Sequence, residues 1–313
     1  MNHFAVIFLF IITSLLRECE VDKNSLVGND YRNFQGTKEW GLAKAVQDND
    51  TAKIRFEVIV NKANVNCVNK YKTNMLSMAI NNCQQPKVIK TLLELGADPN
   101  MREMVEDNGG LFGESAVMTA AECPNKKYKL EYFKYLFAYG ADPNSISQSD
   151  NKEGWYITLH PVSLLSKVIA WSHEDDESLM PIVELIIYNG GDVNITNHYT
   201  GKYCGSQPVS YAIEKGRYDV LLYLLEKGVD YTQQLDSISD DFLLHSNKPL
   251  GILTKMRCYP IPLESPQYQY KLKVIEFLKT KGLDYTKEPI PEETIEEIKR
   301  TYPDNWEEYL NKY

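Results

Sequence analysis

The sequence predicts an all-α protein, an α-solenoid of stacked helix-turn-helix repeats with extended β-hairpin or loop fingers between them. Three observations predict it. A five-residue phrase recurs as Gly96-Ala97-Asp98-Pro99-Asn100, Gly140-Ala141-Asp142-Pro143-Asn144, Gly190-Gly191-Asp192-Val193-Asn194, Gly228-Val229-Asp230-Tyr231-Thr232 and Gly282-Leu283-Asp284-Tyr285-Thr286, with a weaker copy at Lys62-Ala63-Asn64-Val65-Asn66. Ahead of each phrase runs a segment with apolar residues at helical spacing, and ahead of that stands a shorter helix signal. Repetition on this scale builds stacked supersecondary units rather than one closed core.

Element by element, the chain opens with Phe4-Ala5-Val6-Ile7-Phe8-Leu9-Phe10-Ile11-Ile12-Thr13-Ser14-Leu15-Leu16, ended by Arg17-Glu18. This run suits the apolar region of a signal peptide and is too short to cross a bilayer, which takes ~20 residues. Residues 1–19 are therefore expected to be a signal peptide, although no Lys or Arg precedes the run and no small-x-small cleavage site follows. A buried first helix is the alternative. A lipid on Cys19 is disfavoured by the charged Arg17-Glu18 before it. Residues 20–36 are expected to be a mobile leader. Trp40 through Val46 is expected to supply the first helix of a degenerate opening repeat.

The repeats follow. Val88-Ile89 with Leu92-Leu93 is the cleanest long-helix signal, repeated at Tyr132-Phe133, Ile182-Val183, Val220-Leu221 and Val274-Ile275 with their partners one turn on. Such pairs lay a broad apolar stripe along one side of a helix. The glycine after each stripe fits a left-handed C-terminal cap, and the Asp and Asn beyond it suit a tight turn. The shorter signals begin at Asn74-Met75, Ser115-Ala116, His160-Pro161, Gln207-Pro208 and Lys248-Pro249, with proline expected at the first helical position. After residue 286, Pro291 through Arg300 and Asp304 through Leu310 read as two helices. Residues 287–313 are expected to cap an array spanning residues 37–286.

Helix, turn, helix and extended finger make the unit of the ankyrin repeat, and the chain resembles an ankyrin-repeat protein from about residue 43 to residue 286. The Gly-Ala-Asp-Pro-Asn phrases carry the resemblance most specifically. The family's Thr-Pro-Leu-His signature is degraded, with Pro161, Pro208 and Pro249 in the proline place and Ser77, Ser163 and Ser210 in that of its His. Counted to those prolines, four consecutive fingers exceed the family's unit by roughly five to eight residues. Two repeats also carry inserts between their helices.

Insertions of this kind commonly make the binding surface. The long fingers carry Leu111, Phe112, Trp155, Tyr156, His198, Tyr199, Tyr203, Phe242 and His245, and aromatic residues on such a rim are favoured anchors of protein recognition. These nine are the expected partner-binding residues; the alternative is that each tucks against its neighbour's helix. Of the inter-helix inserts, 172–178 is acidic and expected to be a solvated turn. Residues 257–266 are proline-rich and expected to be an extended strap.

Net charge of −9 with a pI near 5.2 argues against nucleic-acid binding, because phosphate recognition needs a basic face. The six cysteines show no CxxC or Cys/His spacing, and the five histidines no HExxH. Gly109-Gly110-Leu111-Phe112-Gly113 reads as a loop. No nucleophile motif is present. No enzymatic activity, cofactor or metal is expected. The expectation is a scaffold that is monomeric when unbound and grips another protein with its concave face and fingers. It would be secreted or periplasmic, as an inhibitor, immunity protein or secreted effector. The alternatives are a cytoplasmic or membrane-anchored scaffold held by its N-terminal segment, and a ligand-binding or catalytic site built on the fingers with His160, His198 and His245.

Overall fold

A computed structural model describes residues 25–107, 110–149, 162–172, 176–195, 207–235 and 250–313. The chain is mostly helical and divides between Asp98 and Pro99 into two compact units. The expected signal peptide lies outside the described residues.

The first unit holds a 3-10 turn, Tyr31–Phe34, and four helices: α1 (Trp40–Gln47), α2 (Thr51–Ile59), α3 (Met75–Asn81) and α4 (Pro86–Glu94). They form two hairpins, with α1 against α3 and α2 against α4. Asp50 and Asn74 cap α2 and α3 by accepting hydrogen bonds from Lys53 N and Ser77 N, as short polar side chains do at helix starts. Part of the expected mobile leader is instead packed: Leu26, Tyr31 and Phe34 are buried. Asn82 Nδ2 donates to Asn29 O at 2.8 Å, and the Tyr71 hydroxyl donates to Leu26 O. Two aromatics and a leucine in a short polar segment give it enough apolar area to fold back.

In the second unit a hairpin of β1 (Glu103–Asp107) and β2 (Gly110–Glu114) precedes α5 (Ala116–Ala121) and α6 (Lys126–Ala138). A short strand, β3 (Gln148–Ser149), pairs antiparallel with β2. The helices continue as α7 (Leu164–Ala170), α8 (Leu179–Tyr188), α9 (Pro208–Glu214), α10 (Tyr218–Glu226), α11 (Ile252–Cys258), α12 (Pro266–Thr280), α13 (Glu292–Thr301) and α14 (Trp306–Lys312). Short helices pack in one layer, α5 on α7 on α9 on α11; the long ones pack in a second, α6 on α8 on α10 on α12. The apolar pairs fill the space between: Tyr132, Phe133, Leu136, Ile182, Val183, Ile186, Val220, Leu221 and Leu224 are fully buried. Isolated antiparallel bridges join Ile146 with Ser163 and Leu235 with Leu250.

Several local expectations are corrected. Pro208 does begin a helix, but α7 begins at Leu164 and α11 at Ile252, each three residues past the proline expected there. Ser163 is therefore the cap of α7, accepting from Ser166 N at 3.2 Å, and Ser166 takes the place of Ser77 and Ser210. A capping hydroxyl outweighs a proline's fixed φ in setting the start. The expected extended strap is divided: Cys258 ends α11, and Pro266 begins the long α12 behind the capping Ser265. The acidic insert is not wholly solvated, because Asp176 is buried, 3.9 Å from Lys129 Nζ, with Arg217 Nη1 donating to its carbonyl at 3.4 Å.

The last two helices close on their own aromatic cluster, with Ile298, Tyr309 and Tyr313 buried among Leu263, Ile290, Tyr302, Trp306 and Leu310. The Tyr313 hydroxyl lies 2.9 and 3.0 Å from the carbonyls of Met256 and Arg257, and Tyr309 donates to Ile261 O at 2.6 Å. The carbonyls of Met256 and Arg257 are in the last turn of α11 and need donors. Two buried basic side chains stand at the same helix end. Lys271 Nζ is 3.8 Å from the Tyr313 ring centre, and Arg257 is 3.8 Å from that of Tyr285. Aromatic faces and the negative end of a helix both favour positive charge.

Candidate interaction surface

The recurring phrase explains how neighbouring turns are held together. All five turn glycines have φ between +84° and +94°, where a side chain would be strained. After four of them the Asp side chain folds back on its own turn: Asp142, Asp192, Asp230 and Asp284 accept from the backbone N–H two residues on, at 2.8 to 3.1 Å. The final Asn reaches the following phrase. In the first unit Asn66 donates to Gly96 O at 3.0 Å and accepts from Asp98 N at 2.8 Å. In the second, Asn100 makes the same pair with Gly140 and Asp142, Asn144 with Gly190 and Asp192, and Asn194 with Gly228 and Asp230. A planar amide offers one donor and one acceptor side by side. Thr232 and Thr286 have no amide; their hydroxyls donate to their own Asp instead.

Within the second unit ion pairs join neighbouring short helices, and one of them also ties the β1–β2 hairpin to α7. Lys167 of α7 pairs with Glu114, the last residue of β2, and at 2.7 Å with Glu122, which follows α5. Lys255 of α11 pairs with Glu214 at the end of α9, as Lys167 does with Glu122, two short helices further along the same layer. Burial pushes the Glu114 carboxyl above the usual carboxylate range, against the lowering effect of Lys167. Burial likewise lowers the Lys129 amine, opposed by Asp176. Three residues directly after short helices stand at equivalent places: Trp171, Lys215 and Tyr259. Trp171 is 59 % exposed and Lys215 is exposed.

Of the expected partner-binding residues, Leu111 and Phe112 lie on β2. Leu111 is opposite Glu106, and Phe112 is opposite Val105 on one side and Ser149 on the other. Trp155, Tyr156, His198, Tyr199, Tyr203, Phe242 and His245 lie outside the described residues. Trp171 was missed because it follows a short helix rather than lying in a finger; its shared position with Lys215 and Tyr259 is the signal that finds it.

Among the described residues no three His, Cys, Asp or Glu side chains form a group able to hold a metal ion. Every histidine lies outside them. Cys67, Cys83, Cys123 and Cys258 are free thiols. Burial pushes Cys67 up to about 12 and Cys258 to about 11, so both are held as inert thiols. No helix of the described residues is long and apolar enough to cross a membrane.

The chain matches no protein-family model. It is similar to Protein PhlB of Serratia liquefaciens, with 30% identity over 140 residues, which is 45% of this chain and 54% of that protein. The aligned region thus spans about half the length of that relative.

Proposed function

We propose that this chain is an ankyrin-type solenoid that binds another protein through its short-helix face and its long fingers. The observation that carries the reading is the repeated turn, in which four asparagines, Asn66, Asn100, Asn144 and Asn194, each bond the next turn's glycine carbonyl and aspartate N–H. Such a device fixes the spacing of successive fingers, and a row of fingers at fixed spacing suits a folded partner better than a small molecule. The ion pairs of Lys167 and Lys255 hold the floor beneath them. Trp171 adds an exposed aromatic anchor at the edge of that floor.

The N-terminal apolar run supports export, which places the partner outside the cytoplasm. An acidic, exported, rigid scaffold fits an inhibitor or immunity protein that neutralises a toxin or enzyme, or a secreted effector. The test is site-specific photo-crosslinking in the native host, with the reactive residue placed at Trp155, Tyr199 or Trp171 and, as a control, at Tyr188 of α8. The reading predicts one discrete protein adduct from the first three positions and none from Tyr188. No adduct from the fingers, or equal adducts from every position, would sink it.

A further inference from the structure

Helix α2 of the first unit carries an apolar stripe that nothing among the described residues covers. Phe56 is 51 % exposed, Ile59 55 % and Val60 58 %. With the exposed Ala52 they fall at helical spacing along one side. Three large apolar groups exposed side by side in the middle of an ordered unit are a costly surface to leave in water.

The charges around the stripe are positive. Lys53 and Lys62 are exposed at its two ends, and Arg55 lies between them. The one acid in the body of the helix, Glu57, is turned inward, buried and bonded to Asn61 Nδ2 at 2.7 Å. On α4, packed against α2, Lys87 and Lys90 are also exposed, while Glu94 is tied to Arg55 and, at 3.8 Å, to Lys90. Asp48 and Asp50 stand at the amino end of α2, where Asp50 is the cap. On a chain of net charge −9, a stripe of Phe, Ile and Val with a lysine at each end is a local exception to the acidic average. Apolar side chains framed by lysines are the chemistry of a helix lying on an anionic bilayer surface, where they enter the interface and the amines meet lipid phosphates.

A second observation points the same way. The apolar run Phe4 to Leu16 lies ahead of this unit, joined to its first described residue, Ser25, by a short segment. A precursor that keeps this run would carry two membrane signals, whereas a processed chain that has lost it would rely on the α2 face alone.

We propose that the α2 face, with Phe56, Ile59 and Val60 as the inserting groups and Lys53 and Lys62 as the phosphate contacts, docks on anionic phospholipid. The inference does not depend on what the fingers bind. The experiment is co-sedimentation of the purified full chain with vesicles of phosphatidylcholine alone or with one quarter phosphatidylglycerol. Wild type is compared with a Lys53→Gln/Lys62→Gln variant and a Phe56→Ser/Ile59→Ser variant, all substituted residues being exposed. Wild type should partition more strongly to the anionic vesicles, and less so in high salt. The lysine variant should lose about fivefold in partitioning per lysine on anionic vesicles only. The serine variant should lose partitioning on both. Variants that sediment like wild type would overturn the proposal, since binding would then come from the N-terminal run alone; so would a wild type that binds neither vesicle. If the serine variant instead abolishes self-association measured by analytical ultracentrifugation, with vesicle binding unchanged, the face belongs to a second copy and the proposal fails.

Discussion

Asn144 shows how much one side chain contributes to the repeat. Its amide donates to Gly190 O at 3.1 Å and accepts from Asp192 N at 2.8 Å. Asn144→Ala removes both bonds and leaves two backbone groups to partial solvation, at a cost of about 1–2 kcal/mol. A urea titration checks this, and Thr232→Ala, outside the inter-turn ladder, should cost less. Lys271 makes the opposite case. It is fully buried with no carboxylate paired to it among the described residues, and its amine is held well below the ordinary lysine value by burial and then by the Arg257 charge. The unfolded chain therefore binds a proton more readily than the folded one, and this group's penalty shrinks as pH rises. Lys271→Met should stabilise the protein at neutral pH by about 1 kcal/mol or more, with a gain over wild type that narrows toward alkaline pH. A gain independent of pH between neutrality and about pH 9.5, short of the ordinary lysine pKa, would refute the depressed amine. For the thiols, half-exposed Cys83 should react with a water-soluble thiol reagent before Cys67, Cys123 and Cys258, as peptide mass mapping would record.

At the scale of the element, the long helices were legible in the sequence because their apolar pairs repeat and a glycine ends each one. Short-helix starts were legible at Asn74-Met75 and Ser115-Ala116, where a short polar residue leads, and at Gln207-Pro208, where proline takes the first helical position. At α7 and α11 a proline three residues too early drew the expected start away from Ser163 and Gly251; at α7 the start is fixed by the Ser163 side-chain bond to Ser166 N, which the sequence alone does not display. The ion pairs were not legible, since Lys167 and Glu114 lie far apart in the chain and meet only when the finger folds onto α7. They yield a prediction for the finger itself. Lys167→Ala leaves Glu114 and Glu122 without their shared cation, and should cost about 3 kcal/mol. Hydrogen exchange of the β1–β2 amides should quicken more than that of α9. Equal effects on both would mean that the lysine supports the layer rather than the finger.

For the molecule, what the sequence discloses most readily is repetition, and what it discloses least is the surface. A repeat reuses the same core contacts, so each phrase corroborates the others. A binding face is made by residues that differ from one repeat to the next, as Trp171, Lys215 and Tyr259 do. Export remains a statement about the first residues of the chain. Intact mass of the tagged protein from its host should show loss of about the first 20 residues, with recovery outside the cytoplasm; full-length protein in the cytoplasm would remove the periplasmic or secreted partner from the account. The central claim, that the fingers grip a folded partner, is tested most directly by the affinity of the chain for the protein that crosslinks to it. We predict that Trp155→Ala, Tyr156→Ala and Tyr199→Ala together weaken that affinity by at least about a hundredfold, with the thermal midpoint unchanged. An affinity equal to wild type in a variant that stays folded would contradict the account.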